Sequence, residues 1–357
     1  MTYQKVDFIV LGQGLCGTLL SRQLLQAGKS VLVIDNPAPN TSSKVASGII
    51  NPVTGRRIVR TWRIEELLPF ALKEYRQIEE ELNVALLTET SIIDFYASLQ
   101  IKEAFDKRLA EETDYLQQPT NLTGLTNFFR FNYGAGQISP CLLVDVNQLL
   151  QSWRSYLNQQ GLLLQTMFGW SDCVVEPNRV RYKNITAQAI ICCEGVEGFS
   201  NPYFKNLPYT PMKGEALIAQ IPALPRGHIY KQGISLVPWG NDRWWIGSTY
   251  EWYFDNLLPT PAWRKKVEEQ LKYWLRLPFT ITDHLAANRP ANMERRPFVG
   301  VHPQHSSVGI LNGMGAKGCS LAPFFAAQLA NRLINNTPIY ADADVQRFAK
   351  ILARNMQ

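Results

Sequence analysis

A glycine-rich turn between a short apolar strand and a helix constrains the fold of this chain more than any other feature. Residues 6–11 (VDFIVL) are apolar, residues 12–17 (GQGLCG) match GxGxxG, and residues 18–27 have helical periodicity. A second apolar run, residues 31–34, ends at Asp35, which completes a βαβ unit. This context predicts a dinucleotide-binding fold, because the turn lets a pyrophosphate approach a helix N-terminus.

The glycines and Asp35 each have a predicted role in that fold. Without Cβ atoms, Gly12 permits a tight turn, Gly14 permits close approach of the pyrophosphate, and Gly17 permits the helix to pack on the strand. Asp35 ends the second strand, where a carboxylate can accept both ribose hydroxyls, which favours an unphosphorylated adenosine ribose over NADP. The alternative is an ordinary strand, turn and helix in which Asp35 is only a cap. A P-loop is excluded, because the position that would need glycine, residue 23, is glutamine.

A second glycine-rich turn lies near the C-terminus. Residues 308–311 (VGIL) predict a strand, and the following NGMGAKG predicts a turn into a helix whose first turn contains Pro323, where proline is tolerated. A pyrophosphate needs only one such turn, so two turns suggest an extended FAD with its AMP end on the first and its isoalloxazine on the second. The helix N-terminus would then stabilise negative charge at N1–C2=O of the reduced flavin.

Composition restricts the class of protein. The 357 residues are 46% hydrophobic, which suggests roughly two domains. The six cysteines are scattered and the four histidines do not cluster, so neither a disulfide framework nor a metal is predicted. The sequence begins with a charged strand and lacks a long apolar run, so we expect a cytoplasmic protein without a membrane partner. The net charge of +6 suits an anionic ligand but is too small to indicate nucleic acid.

The order of predicted elements indicates two interleaved domains, since no Ser/Gly-rich linker separates them. A long amphipathic helix covers residues 64–82, after which the α/β alternation pauses and later resumes. We therefore predict an α/β fold: a Rossmann-like FAD-binding domain (1–82, 145–205 and 285–357) interleaved with a mostly antiparallel-sheet α+β substrate domain (83–144 and 206–284).

The motifs, taken in order, resemble those of the D-amino-acid oxidase/glycine oxidase superfamily of FAD-dependent amine oxidases. They are GQGLCG with Asp35, ASG (46–48), GAGQISPCLLVD (134–145), AIICCEG (189–195), PMKGEA (211–216), RWWIGST (243–249), RPANMERRPFVG (289–300) and GMGAKGCSLAP (313–323). Several look most similar to the FAD domain of the bifunctional enzyme that modifies tRNA wobble uridine. The resemblance implies hydride transfer from the carbon of a neutral amine to flavin N5, imine hydrolysis, and reoxidation of the flavin by oxygen or another acceptor. It also implies non-covalent FAD, because the attachment cysteine of sarcosine-oxidase-like members is missing near Arg289.

Several residues are predicted to contact the substrate. Arg289 matches the arginine that pairs with the substrate carboxylate in glycine-oxidase-like members; the alternative is a structural salt bridge in the segment containing Glu294. Lys317 matches a lysine at the flavin-side turn of sarcosine-oxidase-like members and an arginine in tRNA-modifying ones, so a cation there would help to hold an anionic substrate; the alternative is a solvent-exposed turn lysine. Tyr250, and Trp252 beyond it, are candidates to line the substrate cavity.

The resemblance also supplies a set of predicted FAD contacts. Val174 lies in the segment that corresponds to the strand whose main chain meets the adenine. The alternative is that Val174 is an ordinary core valine. The complete predicted set is Gly12, Gly14, Leu15, Cys16, Gly17, Asp35, Asn36, Lys44, Ser47, Gly48, Val174, Glu194, Gly195, Arg289, Gly313, Gly315, Ala316, Lys317 and Gly318.

Two further patterns bear on the partners and the core. A basic cluster comprises Arg56, Arg57, Arg60 and Arg63. Such a cluster is a solvated face or a surface for an RNA backbone. Trp244 and Trp245 are expected to alternate between core and surface in a strand. Three functions remain open: oxidation of a small anionic amine or amino acid, modification of a carboxymethylaminomethyl-type group on tRNA, and a non-catalytic FAD-binding subunit.

Overall fold

The computed structural model of the protein describes residues 4–55, 57–111 and 114–356. In chain order the strands are β1 (Gln4–Lys5), β2 (Phe8–Leu11), β3 (Val31–Ile34), β4 (Ile49–Ile50), β5 (Val53–Thr54), β6 (Val59–Arg60), β7 (Leu87–Phe95), β8 (Leu116–Gln117), β9 (Ala135–Val144), β10 (Leu163–Leu164), β11 (Cys173–Glu176), β12 (Arg179–Tyr182), β13 (Ile185–Ala187), β14 (Ala189–Cys192), β15 (Tyr209–Gln220), β16 (Ile229–Gln232), β17 (Ile234–Trp239), β18 (Arg243–Gly247), β19 (Thr280–Asn292), β20 (Phe298–Val301) and β21 (Val308–Asn312). The helices are α1 (Leu15–Gln26), α2 (Ser42–Val45), α3 (Ile64–Leu82), α4 (Leu99–Glu111), α5 (Leu122–Leu125), α6 (Val146–Gln159), α7 (Pro261–Trp274), α8 (Gly318–Asn335) and α9 (Ala349–Leu352). Within these ranges, no helix has the length and apolar content needed to cross a membrane.

A six-stranded sheet in the order β10-β3-β2-β14-β21-β20 forms the first layer. Its strands are parallel except β20, which runs antiparallel to β21. Every residue of β2, β3, β14 and β21 is buried, as expected of parallel strands covered on both faces. Helices α1, α3 and α8 pack together in the apolar layer against this sheet. The architecture confirms the predicted Rossmann-like α/β layer.

The second large sheet has the order β19-β15-β18-β17-β16-β7-β9-β4, with β8 beside β9. Its neighbours are antiparallel except β16 and β7. Helix α7 packs into the apolar cluster on this sheet. The mostly antiparallel α+β layer is therefore also confirmed. The domain boundaries stay a prediction, and β19 runs through residue 285.

Helix α8 corrects one detail of the C-terminal turn. The helix begins at Gly318, so Pro323 lies inside it rather than in its first turn as predicted. Proline has no N–H and cannot donate to the carbonyl four residues earlier, which belongs to Cys319. The buried Tyr75 hydroxyl donates to that carbonyl instead, at 2.9 Å. A hydroxyl from α3 thus replaces the missing helical hydrogen bond.

The paired tryptophans of β18 also differ from the prediction. Trp244 and Trp245 are both buried, with 1% and 6% exposure, rather than alternating between core and surface. β18 lies between β15 and β17, and apolar clusters cover both faces of the sheet there. The Trp245 indole donates to the Val45 carbonyl at 2.9 Å, which ties this sheet to α2.

Candidate active site

Three turns converge at the carboxyl edge of the parallel sheet. β2, β14 and β21 are adjacent and parallel, so the chain leaves them at Gly12, Cys193 and Gly313 on one side. A Cβ on Gly12 would lie 2.6 Å from the Cys193 carbonyl oxygen, and one on Gly318 would lie 3.3 Å from the Leu15 side chain. The two glycine turns therefore lie side by side, at the switch point where α/β sheets bind ligands.

The first glycine turn leaves space in front of a helix N-terminus. The N-cap Gly14 supplies no capping side chain, and the first turn of α1 has no acidic residue. Gly12 has φ +90°, and a Cβ on Gly17 would lie 1.8 Å from the Gly12 oxygen, so the turn itself requires both glycines. At Gly14 only Ser43 Oγ is near, 3.2 Å from the Cβ position, and Leu15 N donates to it at 3.1 Å. Sequence reasoning missed Ser43, although it lies three positions before the ASG motif.

Asp35 ends β3 with both carboxylate oxygens engaged. Oδ1 accepts a hydrogen bond from Gln13 N at 2.9 Å, and Oδ2 lies 2.7 Å from Arg154 Nη1. Arg154 Nη1 also donates to Gln13 Oε1 at 3.0 Å. An ionised carboxylate has about four acceptor sites, so Asp35 can still accept ribose hydroxyls. Binding of the ribose by Asp35 stays a prediction, and sequence reasoning missed Arg154.

Several other predicted FAD contacts have local structural explanations. Gly48 has φ +84°, and a Cβ there would lie 2.0 Å from the Val144 oxygen, so close packing on β9 requires this glycine. The Lys44 ammonium donates to the Ala38 carbonyl of its own loop. Val174 is 48% exposed, so its alternative as a core valine is wrong.

The remaining predicted FAD contacts differ in their exposure to solvent. Asn36 and Ala316 are exposed, whereas Cys16 and Ser47 are partly buried. Gly315 has φ +55°, a conformation that favours glycine in the C-terminal turn. Their contacts with FAD stay predictions.

Glu194 and Gly195 occupy the middle turn, after β14. Asn201 Nδ2 donates to Glu194 Oε2 at 2.6 Å, and Asn312 Nδ2 donates to the Gly195 carbonyl at 2.8 Å. Burial is the main cause that raises the pKa of Glu194 to about 7; the Glu197 carboxylate adds to the shift, and the hydrogen bond from Asn201 opposes it. At neutral pH about half of this carboxyl is protonated, so it places less negative charge at this edge than an ordinary glutamate would.

Arg289 lies near the C-terminal end of β19 and is held by neutral groups. Its Nη1 donates to the Thr249 carbonyl at 3.0 Å and its Nη2 donates to Ser248 Oγ at 2.9 Å. The guanidinium lies 4.9 Å from the centroid of the Tyr250 ring. Burial lowers the pKa of Arg289 from its ordinary value. The structure thus brings Arg289 together with Tyr250, which is itself 61% exposed.

No carboxylate in the described part of the chain forms an ion pair with Arg289. Glu294, the partner in the salt-bridge alternative, pairs with Arg347 at 3.0 Å. That alternative is therefore wrong. A partly buried guanidinium with only neutral partners carries an uncompensated charge, which favours the approach of an anion, because an unpaired charge removed from water is costly.

Glycine and alanine make room for the Arg289 side chain. A Cβ on Gly214 of β15 would lie 2.0 Å from Arg289 Nη2. Gly214 is opposite Ala287 in the β15/β19 ladder, and residues opposite each other share a face. Ala291, two residues beyond Arg289, is on the same face and lies near Gly315. This face joins the arginine to the C-terminal glycine turn.

Lys317 lies at the N-terminus of α8 and is partly buried, so it is not the freely solvated lysine of the alternative. Its Nζ donates to Thr61 Oγ1 at 3.1 Å. Burial, followed by repulsion from Arg296 and Arg295, lowers the pKa of Lys317 to about 8. Lys317 and Arg289 contact different residues of the protein. That both cations bind one carboxylate of the substrate stays a prediction.

Two members of the basic cluster, Arg60 and Arg63, form ion pairs with neighbouring acids. Arg60 lies 2.7 Å from Glu65 and 2.8 Å from Asp114, and Arg63 forms an i,i+3 ion pair of 2.7 Å. Arg56 lies outside the described residues. The paired members offer little free charge to an RNA backbone.

The family model named DAO, FAD dependent oxidoreductase, matches residues 7–332. The chain belongs to this family. It is therefore an FAD-dependent oxidoreductase. Glycine oxidase from Geobacillus kaustophilus superposes with a TM-score of 0.79 at 15% identity, over 94% of this chain and 96% of that chain. Iminodiacetate oxidase from Chelativorans sp. gives a TM-score of 0.74 at 18% identity, over 94% of this chain and 97% of that chain. At these identities the likeness shows a shared fold.

The carboxyl edge of the sheet fits the FAD that this family uses. The space at Gly14, the uncapped start of α1 and the absence of acid in its first turn suit a pyrophosphate. At the second turn, the N-terminus of α8 is also uncapped by any side chain and carries Lys317. When bound, FAD supplies the two-electron acceptor of the reaction.

Proposed function

We propose that this protein oxidises the C–N bond of a small amine or amino acid that carries a carboxylate. Its structural neighbours include glycine oxidases and an iminodiacetate oxidase, all named for amino carboxylates. The fold similarity permits the same reaction class, and the residues of this chain support it.

Arg289 carries the proposal. Its guanidinium has no carboxylate partner in the described ranges, and it is held by the Thr249 carbonyl and the Ser248 hydroxyl. Its planar fork suits bidentate binding of a carboxylate. The Tyr250 ring beneath it supplies a cation–π contact that keeps the fork in place. A substrate bound there through its carboxylate would be oriented by the protein before it reacts.

The chain's part in the reaction is positioning more than proton transfer. The alanines beside Arg289 keep the side chains small on the sheet face that leads to the C-terminal turn. Lys317, with a pKa of about 8, is mostly protonated at neutral pH and adds positive charge at that turn. The substrate amine would react in its neutral form.

Substrate turnover tests the proposal. Purified holoenzyme is mixed anaerobically with glycine, sarcosine, iminodiacetate and single D- and L-amino acids, and flavin bleaching is followed in a stopped flow. Arg289→Met should reduce kcat/KM by roughly ten- to two-hundred-fold, the value of a charged hydrogen bond, with the flavin spectrum retained. The matched control is Arg354→Met, an exposed arginine of the C-terminal segment. No reduction by any amine would contradict the proposal.

The same preparation addresses the remaining alternatives. Peroxide formed in air would identify oxygen as an acceptor, and acid precipitation should release the flavin if it is non-covalent. A non-catalytic subunit would bind FAD and reduce it with no amine. Salt-dependent binding of tRNA would favour the RNA-modifying alternative. A cytoplasmic location stays a prediction.

A further inference from the structure

Two arginines in the turn after β19 form a second cationic centre with Trp62. The Arg296 guanidinium lies 4.3 Å from the centroid of the Trp62 ring, and its Nη1 donates to the Arg295 carbonyl at 3.1 Å. Lys317 Nζ donates to Thr61, the residue just before Trp62. Arg296 and Lys317 therefore contact two adjacent residues, Trp62 and Thr61. We call Trp62, Arg295 and Arg296 the outer cationic cluster.

The outer cationic cluster has no counterion in the part of the chain that the structure describes. The neighbouring acid Glu294 pairs with Arg347. Glu66 pairs with Arg63 at 2.7 Å and also accepts the Tyr340 hydroxyl at 3.0 Å. Two arginines and a lysine thus lie close together while the nearby acids bind other cations. Arg295 is exposed and Arg296 is partly buried, so their charge is accessible to an anion that is not part of the protein.

This centre is separate from Arg289 and is connected to it by one strand. Arg289 is bound by the residues that follow β18. Three residues further along β19, Asn292 Nδ2 donates to the Arg296 carbonyl at 2.7 Å and to the Gly313 carbonyl at 2.9 Å. Three strand residues span about 10 Å. Asn292 fixes the outer cationic cluster to the strand that bears Arg289.

We propose that the outer cationic cluster binds a second carboxylate of the substrate, so that the substrate class is an N-carboxyalkyl amino acid. The proposal rests on the proposed function, in which Arg289 holds the first carboxylate. Two carboxylates joined through a secondary amine would occupy the two cationic centres and place the amine between them. The Arg296 fork, braced on an aromatic ring, is suited to planar carboxylate recognition.

Matched substrate pairs test the second carboxylate. Each N-carboxyalkyl glycine, from iminodiacetate to the three-methylene homologue, is compared with the N-alkyl glycine that lacks its distal carboxylate, sarcosine being the first. In the wild-type holoenzyme, kcat/KM for the best dicarboxylate should exceed that of its partner by roughly ten- to hundred-fold, the range for a charged hydrogen bond. Arg296→Met and Arg295→Met should each reduce that ratio several-fold, because kcat/KM should fall more for the dicarboxylate than for the N-alkyl substrate. Arg354→Met should leave the ratio at the wild-type value.

Binding of ligands that cannot be oxidised separates this inference from the proposed function. Thiodiacetate and methylthioacetate, with sulfur in place of the amine, are titrated into the holoenzyme by calorimetry. Tighter binding of thiodiacetate that is lost in Arg295→Met supports the outer site even if no amine is turned over. Equal binding of the two ligands, or a dicarboxylate preference that persists in both variants, overturns it. If Arg296→Met does not fold, Arg296→Lys and the exposed Arg295 provide the same comparison. If the variants lose binding of heparin or RNA while their binding of thiodiacetate is unchanged, the inference is also overturned, and the cluster is a surface for polyanions.

Discussion

Arg154 Nη1 lies 2.7 Å from Asp35 Oδ2, so α6 supplies a guanidinium to the carboxylate that ends the βαβ unit. Gln13, between the first two glycines, completes the contact by donating its N–H to Asp35 Oδ1 and accepting from Arg154. The Asp35 side chain is thereby fixed in one orientation before any ribose arrives. Preorganisation of this kind reduces the entropy lost on binding.

We expect Arg154→Met to weaken FAD binding by roughly ten-fold. A hydrogen bond to a charged group is worth ~1.5–3 kcal/mol, and only part of that reaches the ligand through Asp35. The apoprotein is titrated with FAD and with FAD lacking the 2′-hydroxyl of the adenosine ribose. If Arg154 acts through Asp35, the variant should lose more affinity for FAD than for the deoxy analogue. The exposed Arg179→Met is the control, and an equal loss for both ligands would mean that Arg154 has only a structural role.

Gly214→Ala should displace Arg289 without affecting the flavin turn. The added Cβ would lie 2.0 Å from Arg289 Nη2, so the guanidinium must leave its contacts with Ser248 and Thr249. We expect kcat/KM for a carboxylate substrate to fall by at least about ten-fold. Gly227→Ala is the matched control, because its added Cβ would meet nothing within 4 Å. In an Arg289→Met background the same Gly214→Ala change should lower kcat/KM only slightly. A further loss of about ten-fold in that background would contradict the positioning role of Gly214.

Gly14 and Gly17 should respond differently to substitution. At Gly14 a side chain meets only Ser43 Oγ at 3.2 Å, so Gly14→Val should leave a largely folded protein and abolish FAD binding by filling the pyrophosphate space. At Gly17 a Cβ would lie 1.8 Å from the Gly12 oxygen, so Gly17→Ala should disrupt the turn itself. Flavin content and circular dichroism of both variants decide this. Wild-type flavin content in Gly14→Val would mean that the motif is only a structural turn.

Features with a local physical origin could be predicted from the sequence. Strand β3 (Val31–Ile34) and helix α3 (Ile64–Leu82) have the predicted bounds, because an apolar run and a helical period are readable in a short window. The glycine turns were predictable for the same reason, since positive φ at Gly12 and Gly313 is a property of the local backbone.

Contacts between distant segments could not be predicted in this way. Arg154 and Asp35 are 119 positions apart, and nothing in the periodicity of α6 distinguishes Arg154 from other polar residues. The steric role of Gly214 depends on the register of β15 and β19, which the sequence does not state. Trp244 and Trp245 were mispredicted because alternation assumes one solvent face, whereas β18 is covered on both.

Lys317 should give the reaction an alkaline limb. Its pKa of about 8 means that its positive charge is present below that pH and is lost as the pH rises through it. We expect kcat/KM for an anionic substrate to fall above about pH 8, and the fall should disappear in Lys317→Met. Because Arg296 repels the Lys317 ammonium, Arg296→Met should move the limb to higher pH. The substrate amine titrates identically with each variant, so an unchanged profile in Lys317→Met would assign the limb to another group.

Glu194 should make the stability of the fold depend on pH. Its pKa is about 7 in the folded protein and near 4.5 when exposed in the unfolded chain. Between these values the folded state binds more protons than the unfolded state, so the free energy of unfolding falls as the pH rises. The contribution is fully present below about pH 4.5 and lost by about pH 7. Glu194→Gln keeps the shape of the side chain and can form hydrogen bonds but cannot ionise. The free energy of unfolding of this variant should therefore depend less on pH. At neutral pH the variant should gain stability relative to the wild type. Urea unfolding of both holoenzymes from pH 5 to pH 8 measures the difference, and parallel curves would show that the Glu194 carboxyl does not change its protonation in that interval.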